Sequence, residues 1–122
     1  HLIPTLIRSC LDGEKMSLAL NPVHDFVDVE DFTDGLILLS QQEARGVFEL
    51  GRGVSFSNLE VLNMVQSACR KRANVELVDR LRSYDNNSWR CRDPKAALEY
   101  GWKPKKTLED SIREMVEAYE RS

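Results

Sequence analysis

The chain has 122 residues, 42% of them apolar and 30% charged, with 17 basic against 20 acidic side chains for a net charge of −3. This is one domain's length, enough to bury about two-thirds of its surface and build a core without staples. The balance excludes a generally basic nucleic-acid binder and a disordered polyanion, and no apolar run approaches the ~18 residues that would span a bilayer.

The first segment, HLIPTLIRSC, carries Arg8 and no small-residue cleavage site, so no secretory signal is expected. Cysteines stand at 10, 69 and 91, an odd count with no C-x-x-C pair, which argues against a disulfide framework or zinc knuckle and fits a reducing, cytoplasmic compartment. With histidine only at 1 and 24, no metal site is expected. Periodicity predicts a helix from about Pro4 to Asp12, with proline in its first turn, Gly13 just past its end, and Ile3, Leu6, Ile7, Cys10 and Leu11 on one face. MSLAL at 16–20 alternates like a strand, and FVDV at 26–29 reads as a second. A helix then starts near Asp28, with Phe32, Leu36 and Leu39 expected inward, and GVFELG at 46–51 reads as a third strand ending in a glycine turn. Ser57 and Glu60 form a capping box ahead of Leu62, Val65 and Cys69. VELVD at 75–79 reads as a strand. Asp93-Pro94 opens a short helix over KAALEY that Gly101 closes. Thr107 caps the last helix, with Glu109 and Asp110 in its first turn and Leu108, Ile112, Met115, Val116 and Tyr119 inward. The expected class is α/β with an α+β-like arrangement: about five helices with short strands between them.

Charge is uneven. Residues 25–49 hold seven acids and one base, whereas residues 70–95 hold eight bases (Arg70, Lys71, Arg72, Arg80, Arg82, Arg90, Arg92 and Lys95) and four acids. The basic stretch reads either as a solvated helix end plus a loop, or as an anion site, since arginine forks match phosphate oxygens two at a time. A nucleic-acid surface is disfavoured, because only Tyr84 and Trp89 supply aromatic rings within it.

No self-sufficient active site stands out. GRG at 51–53 follows an expected strand and precedes a helix, but a dinucleotide fingerprint needs a third glycine where Phe56 stands, so GRG reads as a turn. His24 and Asp25 are adjacent, which places their side chains on opposite faces of a strand and gives no triad. Glu30, Asp31 and Asp34 sit at a helix start, where acids ordinarily act as caps and dipole partners. An independent hydrolase is disfavoured for the same reasons.

Five segments, in order, resemble one family. IPTLIRSCLDGEKMSLAL is similar to the family's i-P-x-x-i helix and strand, and HDFVDVEDFTDGLILL to its R-D-[FY]-[VI]-x-V-x-D segment. GVFELGRGVSFSNLEVL resembles its v-f-N-i-G-s-G segment, and RSYD at 82–85 its R-x-G-D. DPKAALEYGWKPKKTLEDSIREMV is similar to its closing e-L-G-W-x-P segment. The family is the extended short-chain dehydrogenase/reductases, the NAD-dependent nucleotide-sugar epimerases and dehydratases, and the likeness is to their C-terminal, substrate-binding part.

The resemblance implies one small substrate-binding domain over 1–122, without the NAD-binding Rossmann half and its Tyr-x-x-x-Lys pair. Tyr84 is followed at the fourth position by Ser88 and Tyr100 by Pro104. It implies a nucleoside-diphosphate sugar as ligand, with Arg82 on the diphosphate and Asp85 ordering the same loop or meeting a sugar hydroxyl. It also implies NAD(P) for a parent enzyme and no cofactor held by these residues. His24 stands where the family carries a second phosphate-binding arginine, and an imidazole carries no fixed charge. Glu49 replaces the family's asparagine, and RSYD lacks its glycine. The expected partners are the Rossmann half, or a second copy through the apolar face that its absence exposes. No membrane is expected. The competing expectation is a non-enzymatic module whose basic 70–95 stretch docks an acidic partner or RNA.

Overall fold

Helix-forming signals decide more than half of the described residues. The computed structural model describes residues 2–19, 23–78 and 95–122. Helix α1 (Leu2–Asp12) starts two residues before Pro4 and ends at Gly13, whose φ of +75° closes it. It leads into strand β1 (Met16–Ala19). Strand β2 (Val23–Asp25) lies three residues earlier than the FVDV reading, because Asp28 leaves the extended chain to cap helix α2 (Val29–Gln41) by accepting from the Glu30 backbone N–H at 2.8 Å.

The expected strand at 46–51 does not form; strand β3 is Ser55–Ser57 instead. Ser57 then caps helix α3 (Asn58–Cys69) through the predicted capping box with Glu60. Strand β4 is Val75–Val78, α4 is Lys95–Tyr100, and α5 is Leu108–Arg121 behind a second capping box, Thr107 with Asp110. Asp93 and Pro94 lie outside the described residues.

The strands pair in twos. β1 and β4 run parallel, with Leu18 opposite Leu77, and β2 and β3 run antiparallel, with His24 opposite Phe56. The main core lies where α1, α3 and α5 meet, around Leu6, Ile7, Val61, Val65, Ile112 and Val116. At roughly 1.5–3 kcal/mol for each fully buried aliphatic side chain, this cluster is the principal source of stability. Two buried polar groups tie strands to helices: Ser9 Oγ accepts from the Asn74 backbone N–H at 2.7 Å, and Asn58 Nδ2 donates to the Ala19 carbonyl at 2.7 Å. Cys10 and Cys69 are buried free thiols in the same core. Burial first, then the neighbouring Cys10, pushes the Cys69 thiol up to about 12. Three inward assignments fail in the helices. Met115 of α5 is 37% exposed, and α2 turns Phe32 and Leu36 outward while burying Asp31 and Gly35.

Candidate functional site

His24, Arg82 and Asp85 are the site residues expected from the sequence. Arg82 and Asp85 lie outside the described residues, as do Tyr84, Trp89, Cys91 and the arginines at 80, 90 and 92. His24 occupies the centre of β2, and its ring meets that of Phe26 edge to face, with centroids 6.1 Å apart. Asp25, next in the strand, faces the other way, as strand alternation requires.

Asp25 clamps the GRG turn. Its Oδ1 accepts from the Arg52 backbone N–H at 2.8 Å and its Oδ2 from that of Gly53 at 2.7 Å. Gly53 has φ of +81°, a conformation that glycine adopts without strain. A turn that cradles phosphate must leave consecutive amides open to the anion. Here a carboxylate already takes two of them, so the GRG turn does not fit a dinucleotide pyrophosphate. Arg52 completes the clamp by donating from Nε to the Phe26 carbonyl at 3.1 Å, while its Nη2 is buried without a partner.

The start of α2 is held from α5 and its cap. Burial alone would raise the Asp28 carboxyl, but the Ser111 hydroxyl, the Glu30 N–H and the charges of Lys106 and Arg52 outweigh it and hold the group below the usual carboxylate range. Ser111 donates to Asp28 at 2.7 Å. Lys106 Nζ bridges Glu30 at 2.9 Å and Glu114 at 2.7 Å, and its backbone N–H donates to Asp31 at 3.0 Å. Glu30 and Asp31 are therefore structural. No group of histidine, cysteine and carboxylate side chains among the described residues is placed to hold a metal.

The described part of the basic stretch behaves as a helix terminus. Arg70 adopts φ of +58° to end α3, and Arg70, Lys71 and Arg72 share an open concavity of about 580 Å³ with Asn63, Gln66 and Ser67. Sequence reasoning missed the turn-clamping role of Asp25 and the α2 anchor built from Asp31, Gly35 and Trp102. Trp102 Nε1 donates to the Asp31 carbonyl at 2.9 Å, and Gly35 leaves room for its ring. The available signal was the four-residue spacing of Asp31 and Gly35, a polar and a small residue on one helical face, which the more apolar set at 32, 36 and 39 outweighed.

No protein-family model matches the chain. Solved structures do. MoeE5 in complex with UDP-glucuronic acid and NAD superposes over 99% of this chain and 42% of its own, with a TM-score of 0.90 at 25% identity. The chain carries about two-fifths of a nucleotide-sugar epimerase or dehydratase fold. UDP-glucose 4-epimerase from Bifidobacterium longum matches all of this chain with 40% of its own, at a TM-score of 0.88 and 22% identity. The dTDP-glucose 4,6-dehydratase from Bacillus anthracis does so with 39% of its own, at 0.85 and 24%. Among curated proteins, UDP-glucuronic acid decarboxylase 2 of Arabidopsis thaliana is 34% identical over 95 residues, which are 77% of this chain and 21% of that protein. The likeness to the extended short-chain dehydrogenase/reductases is thus a likeness of fold over nearly the whole chain and a minority of each relative. No helix among the described residues is long and apolar enough to cross a membrane.

Proposed function

We propose that these 122 residues are the nucleotide-sugar-binding part of an NAD(P)-dependent epimerase or dehydratase, and that they do not move hydride by themselves. The observation that carries this is the near-complete superposition on a protein seen with UDP-glucuronic acid and NAD. The chemistry agrees. A nucleoside diphosphate presents about two negative charges, and arginine forks are the side chains best shaped to meet them in pairs. Arg82 is the proposed diphosphate clamp, and Asp85 orders its loop or meets a sugar hydroxyl. His24 lies on the face of β2 opposite the Asp25 clamp and adds a single hydrogen bond where an arginine would add a charge. With two GRG amides taken by Asp25 and no Tyr-x-x-x-Lys pair in the sequence, the cofactor belongs to the Rossmann part of the relatives, not to these residues.

Calorimetry with UDP-glucose, UDP-glucuronic acid and dTDP-glucose tests the reading. Binding is expected for at least one of them. Arg82→Ala should weaken it by at least about tenfold, the equivalent of ~1.4 kcal/mol, and His24→Arg should strengthen it. No heat with any of the three, or an Arg82→Ala variant that binds as well as the parent, refutes it. The concavity of Arg70, Lys71 and Arg72 supports the competing reading of a module that docks an acidic partner or RNA. RNA binding that falls steeply with salt, with no sugar-nucleotide heat, would select that one.

A further inference from the structure

Two of the three cysteines meet inside the main core. Cys10 lies in the last turn of α1 and Cys69 ends α3; both are free thiols, 4% and 8% exposed. Burial raises both thiols. The charge of Cys10 and the hydrogen bond between the two raise Cys69 further, and the same bond lowers Cys10. A single buried cysteine is a small hydrophobe, and packing alone accounts for it. Two thiols hydrogen-bonded across a helix pair have a second capacity, because together they can lose two electrons and close.

The backbone around the pair is tied down. The segment after α3 is pinned to α1 by the Asn74 N–H on Ser9 Oγ at 2.7 Å and by Asn74 Nδ2 on the Gly13 carbonyl at 3.0 Å. It is pinned to α3 by the Ala73 N–H on Gln66 Oε1 at 3.0 Å. Ser9 adjoins Cys10 in sequence, so these bonds hold the ends of α1 and α3 together where the sulfurs lie. Cys69, and not Cys10, also lines an open concavity of about 390 Å³ between α3 and α5. Its rim carries Arg70 beside Glu117 and Glu120, with Arg113 already paired to Asp110 at 3.2 Å. A small molecule bearing both ammonium and carboxylate groups matches that rim in charge.

We propose that Cys10 and Cys69 are a redox-active dithiol, oxidised to an α1–α3 disulfide by a low-molecular-weight disulfide of the glutathione class that enters through the α3–α5 concavity. Cys69 loses its proton to solvent and its sulfur attacks one sulfur of the reagent. A mixed disulfide forms, and one reagent thiolate leaves and takes up a proton. Cys10 then loses its proton and attacks Cys69 Sγ, the Cys10–Cys69 bond forms, and the second reagent thiol is released. The two cysteines are oxidised by two electrons and the reagent disulfide is reduced by two. Because burial keeps both thiols protonated, exchange is slow at neutral pH, so the pair answers sustained oxidation rather than a brief pulse. The bond closes a loop of roughly 60 residues and removes that freedom from the unfolded chain.

Intact-mass spectrometry tests this on the Cys91→Ser chain, in which Cys10 and Cys69 are the remaining thiols. Hours with oxidised glutathione at mildly alkaline pH should remove two hydrogens from the folded protein and leave no glutathione adduct. Peptide mapping should join Cys10 to Cys69. The oxidised form should melt about 10 °C higher, and dithiothreitol should restore the original midpoint. In the same background, Cys10→Ala should instead retain glutathione on Cys69, and Cys69→Ala should take it up on Cys10 more slowly. Four results overturn the proposal: both thiols still fully alkylated on denaturation after the treatment, a link that forms only in denaturant, an oxidised form that melts below the reduced one, or a faster reaction at Cys10 than at Cys69. If an alanine variant fails to fold, the mass and midpoint of the Cys91→Ser protein decide alone.

Discussion

Gly35→Ala separates two opposed effects on α2. An alanine in a helix interior is worth about 1 kcal/mol over glycine, so at an open site the change would stabilise. Here a Cβ would stand 2.8 Å from Trp102 Nε1, 2.9 Å from Leu50 Cδ1 and 3.1 Å from Trp102 Cδ1, against the roughly 3.5–4.0 Å that non-bonded carbons prefer. Trp102 is 7% exposed and donates to the Asp31 carbonyl at 2.9 Å, so its ring cannot withdraw without lengthening a buried hydrogen bond. Overpacking costs about 1–3 kcal/mol, and a buried indole N–H left unpaired about 1–3 more. Set against the helix gain, the net is a destabilisation of about 1–5 kcal/mol, which for a chain of this size lowers Tm by roughly 4–20 °C. Thermal unfolding followed by far-UV circular dichroism measures it. Trp102→Phe, which removes the indole N–H and part of the ring, should make the two substitutions less than additive. A Gly35→Ala protein that melts higher than the parent would refute the argument that α2 is anchored by close approach at this glycine.

Two pH effects follow, one from a buried thiol and one from a half-buried carboxylate. The Cys69 thiol titrates at about 12 in the fold against roughly 8.5 when unfolded, so the folded state keeps a proton that the unfolded state loses. Its contribution is whole below about pH 8.5 and declines as pH rises toward 12. Cys69→Val should therefore show a shallower alkaline fall in Tm than the parent, and parallel curves would count against the assignment. Asp28 titrates below its unfolded value, so the sign is opposite: its contribution is present above about pH 4 and is lost as pH falls through the depressed folded value. Asp28→Asn, and to a lesser degree Ser111→Ala, should flatten the acid limb of a stability profile taken by urea unfolding. An acid limb unchanged in both variants would show that the cap and the Ser111 bond do not lower the carboxyl.

Local signals in the sequence determined the helices. Pro4 with Gly13, Ser57 with Glu60, Thr107 with Asp110, and Gly101 each satisfy or close a helix end through residues a few positions apart, and these elements stand where they were read. The family likeness was legible too, because ordered motifs survive at identities near 25%. Of the strands, β1 and β4 stand where they were read, whereas the other two were not legible. Residues 26–29 and 46–51 have strand composition, but a strand exists only where a neighbour completes its ladder, and the neighbours β2 and β3 found were each other. The inward face of α2 was equally illegible. Hydrophobicity points Phe32 and Leu36 to the core, but the packing of Trp102 rewards a small residue at 35 and a carbonyl at 31, so only the tertiary structure could turn the stripe outward. Likewise His24 and Asp25 were separable by alternation alone, whereas the clamp of Asp25 on the GRG amides depends on a contact 27 residues away that no local pattern encodes.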